Sequence, residues 1–234
     1  MGSAMSGVGI LTSKRARVQT LRLGTQSTAL AALTDEARDC RICAERPIGQ
    51  PLPHPPRPVV VASTKARILI AGQAPGTRVH ASGIPFDDAS GDRLRDWLGV
   101  SRVQFYDPDV FAILPMGFCF PGQDAKGGDL PPRRECAPAW RARFMALMPQ
   151  IDLVLTIGLY AQRWHLGTLR KPSLTATIED WRAIYAQTTP HSIVLPHPSW
   201  RNTGWLKRHP WFEDDLLPFL RAEIGARAGQ IRPL

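Results

Sequence analysis

Arg67-Ile68-Leu69-Ile70-Ala71-Gly72-Gln73-Ala74-Pro75-Gly76 is the stretch on which the fold turns. Its first part is apolar at successive positions, as a strand covered on both faces requires; a half-exposed strand would alternate. Gly72 ends the run and opens a loop rich in Gly and Pro. Three other runs read the same way: Val110-Phe111-Ala112-Ile113-Leu114, Leu153-Val154-Leu155-Thr156-Ile157-Gly158 and Ser192-Ile193-Val194-Leu195. Helical stretches are predicted between them, at about 90–98, 136–148, 159–166 and 178–187. Strand alternating with helix predicts the α/β class: a three-layer α/β/α sandwich around a central, mainly parallel, four-stranded sheet. Phe212, Leu216, Leu220 and Ile224 recur every four residues and predict a final amphipathic helix. Pro218 fits that helix only in its first turn.

Outward from the strands, residues 1–26 read as a basic tail, 27–225 as one domain and 226–234 as a carboxyl-terminal tail. Ser27 is the expected cap of a short helix carrying Leu30 and Leu33. Six prolines between Pro47 and Pro58 predict an extended connection across the surface. With 44% hydrophobic and 21% charged residues, the 234-residue chain can bury a substantial core, which excludes global disorder. No run approaches the roughly 18 apolar residues of a membrane-spanning helix, so an integral membrane protein is excluded. The first residues lack a secretory pattern, and the expected location is a bacterial cytoplasm, beside the nucleoid. The basic segment Lys14–Arg22 leaves mitochondrial targeting as the alternative. A monomer is expected.

Twenty-nine Lys and Arg stand against 20 Asp and Glu, a net charge of +9. Such an excess favours a polyanionic partner, because neutralised phosphates release counterions; a basic protein without such a partner is the alternative. Ligands of open parallel sheets bind beyond the carboxyl ends of the strands. Those ends carry Gly72–Gly76, Pro115-Met116-Gly117-Phe118-Cys119 and Pro196-His197-Pro198-Ser199-Trp200-Arg201-Asn202, so one rim is the expected site. The first of these loops lacks Gly-Lys-Ser and Gly-x-Gly-x-x-Gly, which argues against a nucleotide phosphate loop. Cys40, Cys43, Cys119 and Cys136 are the only cysteines. A Cys-x2-Cys pair and two single cysteines supply the four thiolates wanted by zinc or a [4Fe–4S] cluster; composition does not separate the two, and ordinary buried thiols are the alternative.

Taken together, these residues resemble the uracil-DNA glycosylase superfamily, especially its iron–sulfur families 4 and 5. The Gly-Glu-Ala-Pro-Gly of family 4 stands here as Gly72-Gln73-Ala74-Pro75-Gly76, and its Gly-x-Pro-Phe as Gly83-Ile84-Pro85-Phe86. Asp87-Asp88-Ala89-Ser90-Gly91-Asp92 is similar to the Gly-Asp-x-Ser-Gly-Asp of family 5, with Asp87 for the first glycine. His197-Pro198-Ser199 matches the final His-Pro-Ser motif, and Asn202-Thr203 also resembles family 5. The cysteines follow the families' order, a pair before the first strand and two singles after the second. The resemblance spans residues from about 38 to 220.

The resemblance implies a [4Fe–4S] cluster on Cys40, Cys43, Cys119 and Cys136, in preference to zinc. It implies a monofunctional DNA glycosylase that hydrolyses the N-glycosidic bond of uracil, or of other deaminated bases, leaving an abasic site in base excision repair. DNA containing such a base is the implied partner. Phe86 would stack on the flipped base, with anchoring of its own loop as the alternative. His197 would donate to the departing O2 oxygen. Asp88 would supply a carboxylate near the sugar; its alternatives are a helix cap beside Ser90 or a pair with Arg93, and Asp87 is a second contender. Gln73 would position water, since Ala74 stands where many relatives carry a water-activating Asp. Gly72, Ala74, Ser199 and Asn202 complete the substrate side.

The Asn with which family 4 reads the pyrimidine edge falls on Pro115 here. Backbone groups of Met116, Gly117 or Phe118 are therefore the expected readers, and hypoxanthine, xanthine or damaged pyrimidines join uracil as candidate targets. Trp200 or Arg201 would wedge into the base stack, while Asn202, Lys207 and Arg208 approach phosphates. Lys126, Arg133 and Arg134 either bind the DNA backbone or are solvated. No histidine lies between Cys119 and Cys136, so the crosslinking chemistry of one superfamily branch is not expected. A non-catalytic iron–sulfur module that binds DNA lesions is the alternative function, favoured by Ala74 and Pro115.

Overall fold

The structure is a computed structural model that describes residues 24–228. A first helix, α1 (24–38), is followed by α2 (Ile42–Glu45), β1 (Ile68–Ala71), α3 (Thr77–Ser82), α4 (Ala89–Leu98) and α5 (Arg102–Phe105). Then come β2 (Phe111–Ile113), α6 (Cys136–Leu147), β3 (Leu153–Ile157) and α7 (Gly158–Leu166). The chain ends with α8 (Leu174–Glu179), α9 (Trp181–Gln187), β4 (His191–Leu195), α10 (Thr203–Arg208) and α11 (Leu217–Arg227). The strand order is β2-β1-β3-β4 and every pairing is parallel, with Ile68 opposite both Phe111 and Leu153, and Leu153 opposite His191.

Successive strand residues point to opposite faces. Ile68, Ile70, Phe111, Ile113, Leu153 and Leu155 face one core, with Leu94 and Trp97 of α4, Ile184 of α9 and Leu220 and Ile224 of α11. Leu69, Ala71, Ala112 and Val154 face the other, under Leu30 and Leu33 of α1 and Trp140 and Phe144 of α6. The sheet is thus sandwiched between two helical layers. This is why its strands read as unbroken apolar runs. On the second layer α1 is tied along α6: Gln26 Nε2 donates to the Leu147 carbonyl at 2.9 Å, and Arg143 pairs with Glu36 at 2.9 Å.

Several local expectations are refined. Helix α1 is already under way at residue 24, so Ser27 lies within it, exposed, and does not cap it. The predicted tails fall outside the described residues up to 23, Lys14–Arg22 included, and again from 229; residues 24–26 belong to α1 and Arg227 ends α11. The four-residue repeat of the last helix holds, with Phe212, Leu216, Leu220 and Ile224 all buried. Its first turn, Phe212–Leu216, is wound as a wide π turn, after which Pro218 enters the opening turn of α11. Helix α5 was not legible as a hydrophobic period; a capping box between Ser101 and Gln104 starts it. The proline-rich segment is extended and runs beside β2, where Val59 N–H donates to the Phe118 carbonyl at 2.8 Å and Val61 bridges Ile113. Among the described residues no helix is long and apolar enough to cross a membrane.

Candidate active site

A cleft opens beyond the carboxyl ends of β1, β2 and β4. The loop Gly72–Gly76 forms its floor, and Phe86, Asp88, Pro115, Asp129 and His197 stand around it. Phe86 has a backbone φ of 55°, a left-handed conformation that costs a non-glycine residue roughly 1–2 kcal/mol. Its surroundings impose the turn. The Phe86 carbonyl accepts hydrogen bonds from Tyr106 Oη at 3.3 Å and Arg95 Nη1 at 3.4 Å, and its ring meets Phe105 edge-on with centroids 5.9 Å apart. A Cβ on Gly72 would lie 3.3 Å from the ring tip, and one on Gly91 only 1.8 Å from the Phe86 carbonyl oxygen. Phe86 therefore both anchors its loop in the core and lines the cleft. Gly91→Ala should cost about 3 kcal/mol, the upper range for overpacking, because the obstacle is backbone. Urea unfolding of the two proteins would measure it.

Directly after Phe86, Asp88 caps α4: its Oδ1 accepts from Ser90 N at 2.9 Å, Ser90 Oγ at 2.6 Å and Gly91 N at 3.0 Å. Its other oxygen takes no part in these bonds, and the side chain lines the cleft. The partner that sequence offered, Arg93, is engaged elsewhere, donating to the Ser199 carbonyl at 2.9 Å and to Thr203 Oγ1 at 3.3 Å. Asp87 does not reach the cleft. The turn at Phe86 sends it outward to Arg102, 2.8 Å away, whose guanidinium holds its carboxyl well below the usual carboxylate range.

His197 leaves β4 on a braced loop. Asn202 Nδ2 donates to its carbonyl at 2.7 Å, and Gln162 Nε2, from α7, donates to the Leu195 carbonyl at 3.2 Å. Ser199 Oγ accepts from Arg201 N at 3.2 Å and caps the short turn Trp200–Asn202. Burial pulls the His197 imidazole below its ordinary range; the carboxylates of Asp88 and Asp129 oppose that shift and Arg201 adds to it. The ring is neutral at pH 7.

The expectation that backbone groups after β2 read the base is overturned for their N–H donors. Met116 N–H donates to the Gly72 carbonyl at 2.8 Å, Gly117 N–H to the Gln73 carbonyl at 2.9 Å and Phe118 N–H to Cys136 Sγ at 3.2 Å. Those bonds stitch the second loop to the first, and Met116 itself is buried in the core facing α6. Pro115 does line the cleft, as does Ala74, and neither side chain offers a hydrogen bond. Gln73 also lines it, its Nε2 3.4 Å from the Leu130 carbonyl. Asp129 was missed by sequence reasoning; the only signal was the Asp- and Gly-rich turn between Cys119 and Cys136, which folds the chain back to the rim.

Away from the cleft, Trp200 is 73% exposed, with the Arg201 guanidinium 5.3 Å from its ring centre. Lys207 and Arg208, both exposed, end α10. Arg133 is neither a backbone contact nor solvated. It donates to the Gln50 carbonyl at 2.6 Å and pairs with buried Glu135 at 2.7 Å, fastening the proline-rich segment to the start of α6.

The four cysteines, far apart in sequence, line one small cavity walled by Ile42, Pro56, Pro58, Phe118 and Trp140. Among the described residues no three His, Cys, Asp or Glu groups converge on a single-ion position. Burial pushes the Cys119 thiol up to about 12 and the Cys136 thiol higher still. On α6, one turn and a half beyond Cys136, lies Arg141, 1% exposed. Its Nη1 donates to the carbonyls of Leu114 at 2.8 Å and Pro115 at 3.2 Å, and its Nη2 to His165 Nε2 at 2.5 Å. Arg141 is thereby a strut between the cysteine-bearing helix and the Pro115 wall of the cleft.

A family model described as Uracil DNA glycosylase superfamily matches residues 59–221, well over half of the chain. The match takes in the whole sheet and every residue named above as lining the cleft.

Proposed function

The chain belongs to the uracil DNA glycosylase superfamily, and on that premise we propose that it hydrolyses the N-glycosidic bond of uracil, or of a related deaminated base, in DNA. The observation that carries this reading is the meeting of a neutral His197, an aromatic wall at Phe86 and a carboxylate at Asp88 in one cleft. A base must leave the stack to be cut, and the unstacked ring would lie against Phe86. Negative charge then grows on the base as the bond breaks. Neutral His197 donates a hydrogen bond to that charge, which stabilises the transition state more than the ground state. The free oxygen of Asp88 favours positive charge on the sugar, and Gln73 orients water.

Selectivity follows from Ala74 and Pro115. With no side-chain hydrogen bond from either, shape governs entry, and hypoxanthine and xanthine are admitted beside uracil. Trp200 or Arg201 fills the gap left in the duplex, and Lys207 and Arg208 hold phosphates. Oligonucleotides carrying uracil, hypoxanthine or xanthine, single-stranded or paired, test this: base release leaves alkali-labile abasic sites. Binding of these strands with no such sites on any of them would favour the lesion-binding alternative instead.

The four cysteines fit a [4Fe–4S] cluster, the reading supported by their common apolar cavity. When bound, the cluster would supply a cross-link between α2, the loop after β2 and the start of α6. Anaerobically purified protein should carry about four iron and four sulfide per chain. Cys40→Ala should lose iron and lower the melting temperature while leaving the residues of the cleft in place. A variant with full iron content and unchanged melting would overturn the assignment.

A further inference from the structure

The chain between Cys119 and Cys136 comes back to the cleft at Asp129. Asp124 N–H donates to the Gly128 carbonyl at 2.8 Å, and Asp124 Oδ1 accepts from Lys126 N at 2.8 Å and Gly128 N at 2.9 Å. Leu130 N–H donates to the Gly122 carbonyl at 2.9 Å and closes the turn at its base. Within it Gln123 bridges Asp129, and its Nε2 lies 3.3 Å from Asp129 Oδ1. The turn leans on the floor of the cleft, where Asp129 Oδ2 is 3.3 Å from the position a Cβ would take on Gly76. Asp129 is exposed at the mouth and lines the cleft together with His197.

A base enters such a cleft first, and its sugar, still tied to the strand, stays at the mouth. Positive charge develops there. Of the groups that line the cleft, Gln73 and Ala74 are neutral, and Asp88 spends one oxygen on the amino terminus of α4. Asp129 has no cationic partner among the described residues; Gln123 holds one of its oxygens and leaves the other toward Gly76.

We propose that Asp129 is a catalytic residue, the carboxylate that faces the sugar and accepts a proton from the attacking water. The assignment rests on the glycosylase reading above. In the step, the C1′–N bond breaks with both electrons leaving on the base, and the water oxygen forms the new bond to C1′. One water proton passes to Asp129 and from it to solvent, while the base anion is protonated in turn. The products are an abasic sugar and the free base.

The test compares the full-length, iron-loaded wild type with Asp129→Asn, Asp129→Glu, Gln123→Ala and Asp88→Asn in single-turnover base release from a uracil strand. Asp129→Asn should lose roughly 10²-fold in rate, the scale of a general base, with DNA affinity and iron content unchanged. Asp129→Glu should recover part of the loss, and Gln123→Ala, which only steadies the carboxylate, should fall by several-fold. Since the Asp129 charge faces His197, Asp129→Asn should also move the His197 titration, followed by NMR, to lower pH. Asp129→Asn within twofold of wild type, beside an Asp88→Asn that is strongly impaired, would overturn the proposal and give the role to Asp88. A wild type that releases no base from any strand would overturn the glycosylase reading, and this assignment with it.

Discussion

Replacing His197 by Ala should lower the rate of base release by about 10²–10³-fold, with the protein folded and its DNA affinity retained. The size follows from what the ring does and where it sits. It is mostly buried between Pro196 and Pro198, its backbone clamped by Asn202, so it reaches the transition state already oriented. A donor placed this way costs no reorganisation when the charge appears, and that advantage is lost with the side chain. Binding should survive because the groups proposed to hold the duplex, Trp200, Arg201, Lys207 and Arg208, lie outside the cleft lining. The pH dependence carries a definite sign. Burial holds the folded pKa below the ordinary imidazole range, so the ring is mainly neutral at pH 7 and above and its midpoint lies to the acid side of a free histidine. Any acid limb due to His197 is therefore centred there in wild type and is missing from His197→Ala. Single-turnover rates across pH 5–8 in both proteins check the two statements together.

The largest effect on stability is expected at Arg141. Arg141→Ala should cost about 3–5 kcal/mol, measured by urea unfolding. The side chain is among the largest that are fully buried, so truncation empties space that the packed sheet and α6 cannot refill. It also strips the Leu114 and Pro115 carbonyls of a charged donor, and buried acceptors left unpaired cost about 1–3 kcal/mol each. His165 supplies the pH signature. Its Nε2 must accept from the guanidinium, so the ring is neutral in the fold; burial, then repulsion from Arg141, pulls its pKa down to about 3. The unfolded chain binds that proton near pH 6.5. Stability from this site is thus complete above about pH 6.5 and drains away as the pH falls toward 3. Arg141→Ala removes the repelling charge and opens the site, so its stability should fall less steeply over the same range. A variant as stable as wild type, with the same acid slope, would show that Arg141 is not the strut described.

Why some of this was legible in the chain and some was not has a physical reason. The strands announced themselves because both faces are covered, which leaves Ile68–Ala71 wholly apolar and admits into Leu153–Ile157 only Thr156, whose hydroxyl is satisfied by the Ile193 carbonyl. That His197, Phe86 and Asp88 share one rim was legible because short motifs hold them on tight loops, His197 directly after β4 and the other two between α3 and α4, where local sequence dictates local geometry. Asp87 was misread for the same nearness: one residue from Asp88, it is turned away by the left-handed backbone at Phe86. Met116, Gly117 and Phe118 were misjudged because partners of backbone donors are set by tertiary neighbours, here Gly72, Gln73 and Cys136. Asp129 and Arg141 gave least warning. One reaches the cleft through a turn whose docking no local pattern encodes; the other sits in α6 like any exposed arginine until the fold buries it.

On the proposed reading, this cleft cuts a base from DNA and does not merely hold it. The most direct measurement is single-turnover incubation of anaerobically purified protein with a uracil-containing strand, both products being quantified by mass spectrometry. Free uracil and an abasic strand are expected in equal amounts, from wild type and not from His197→Ala. A strand that is bound tightly by wild type and recovered intact would contradict it.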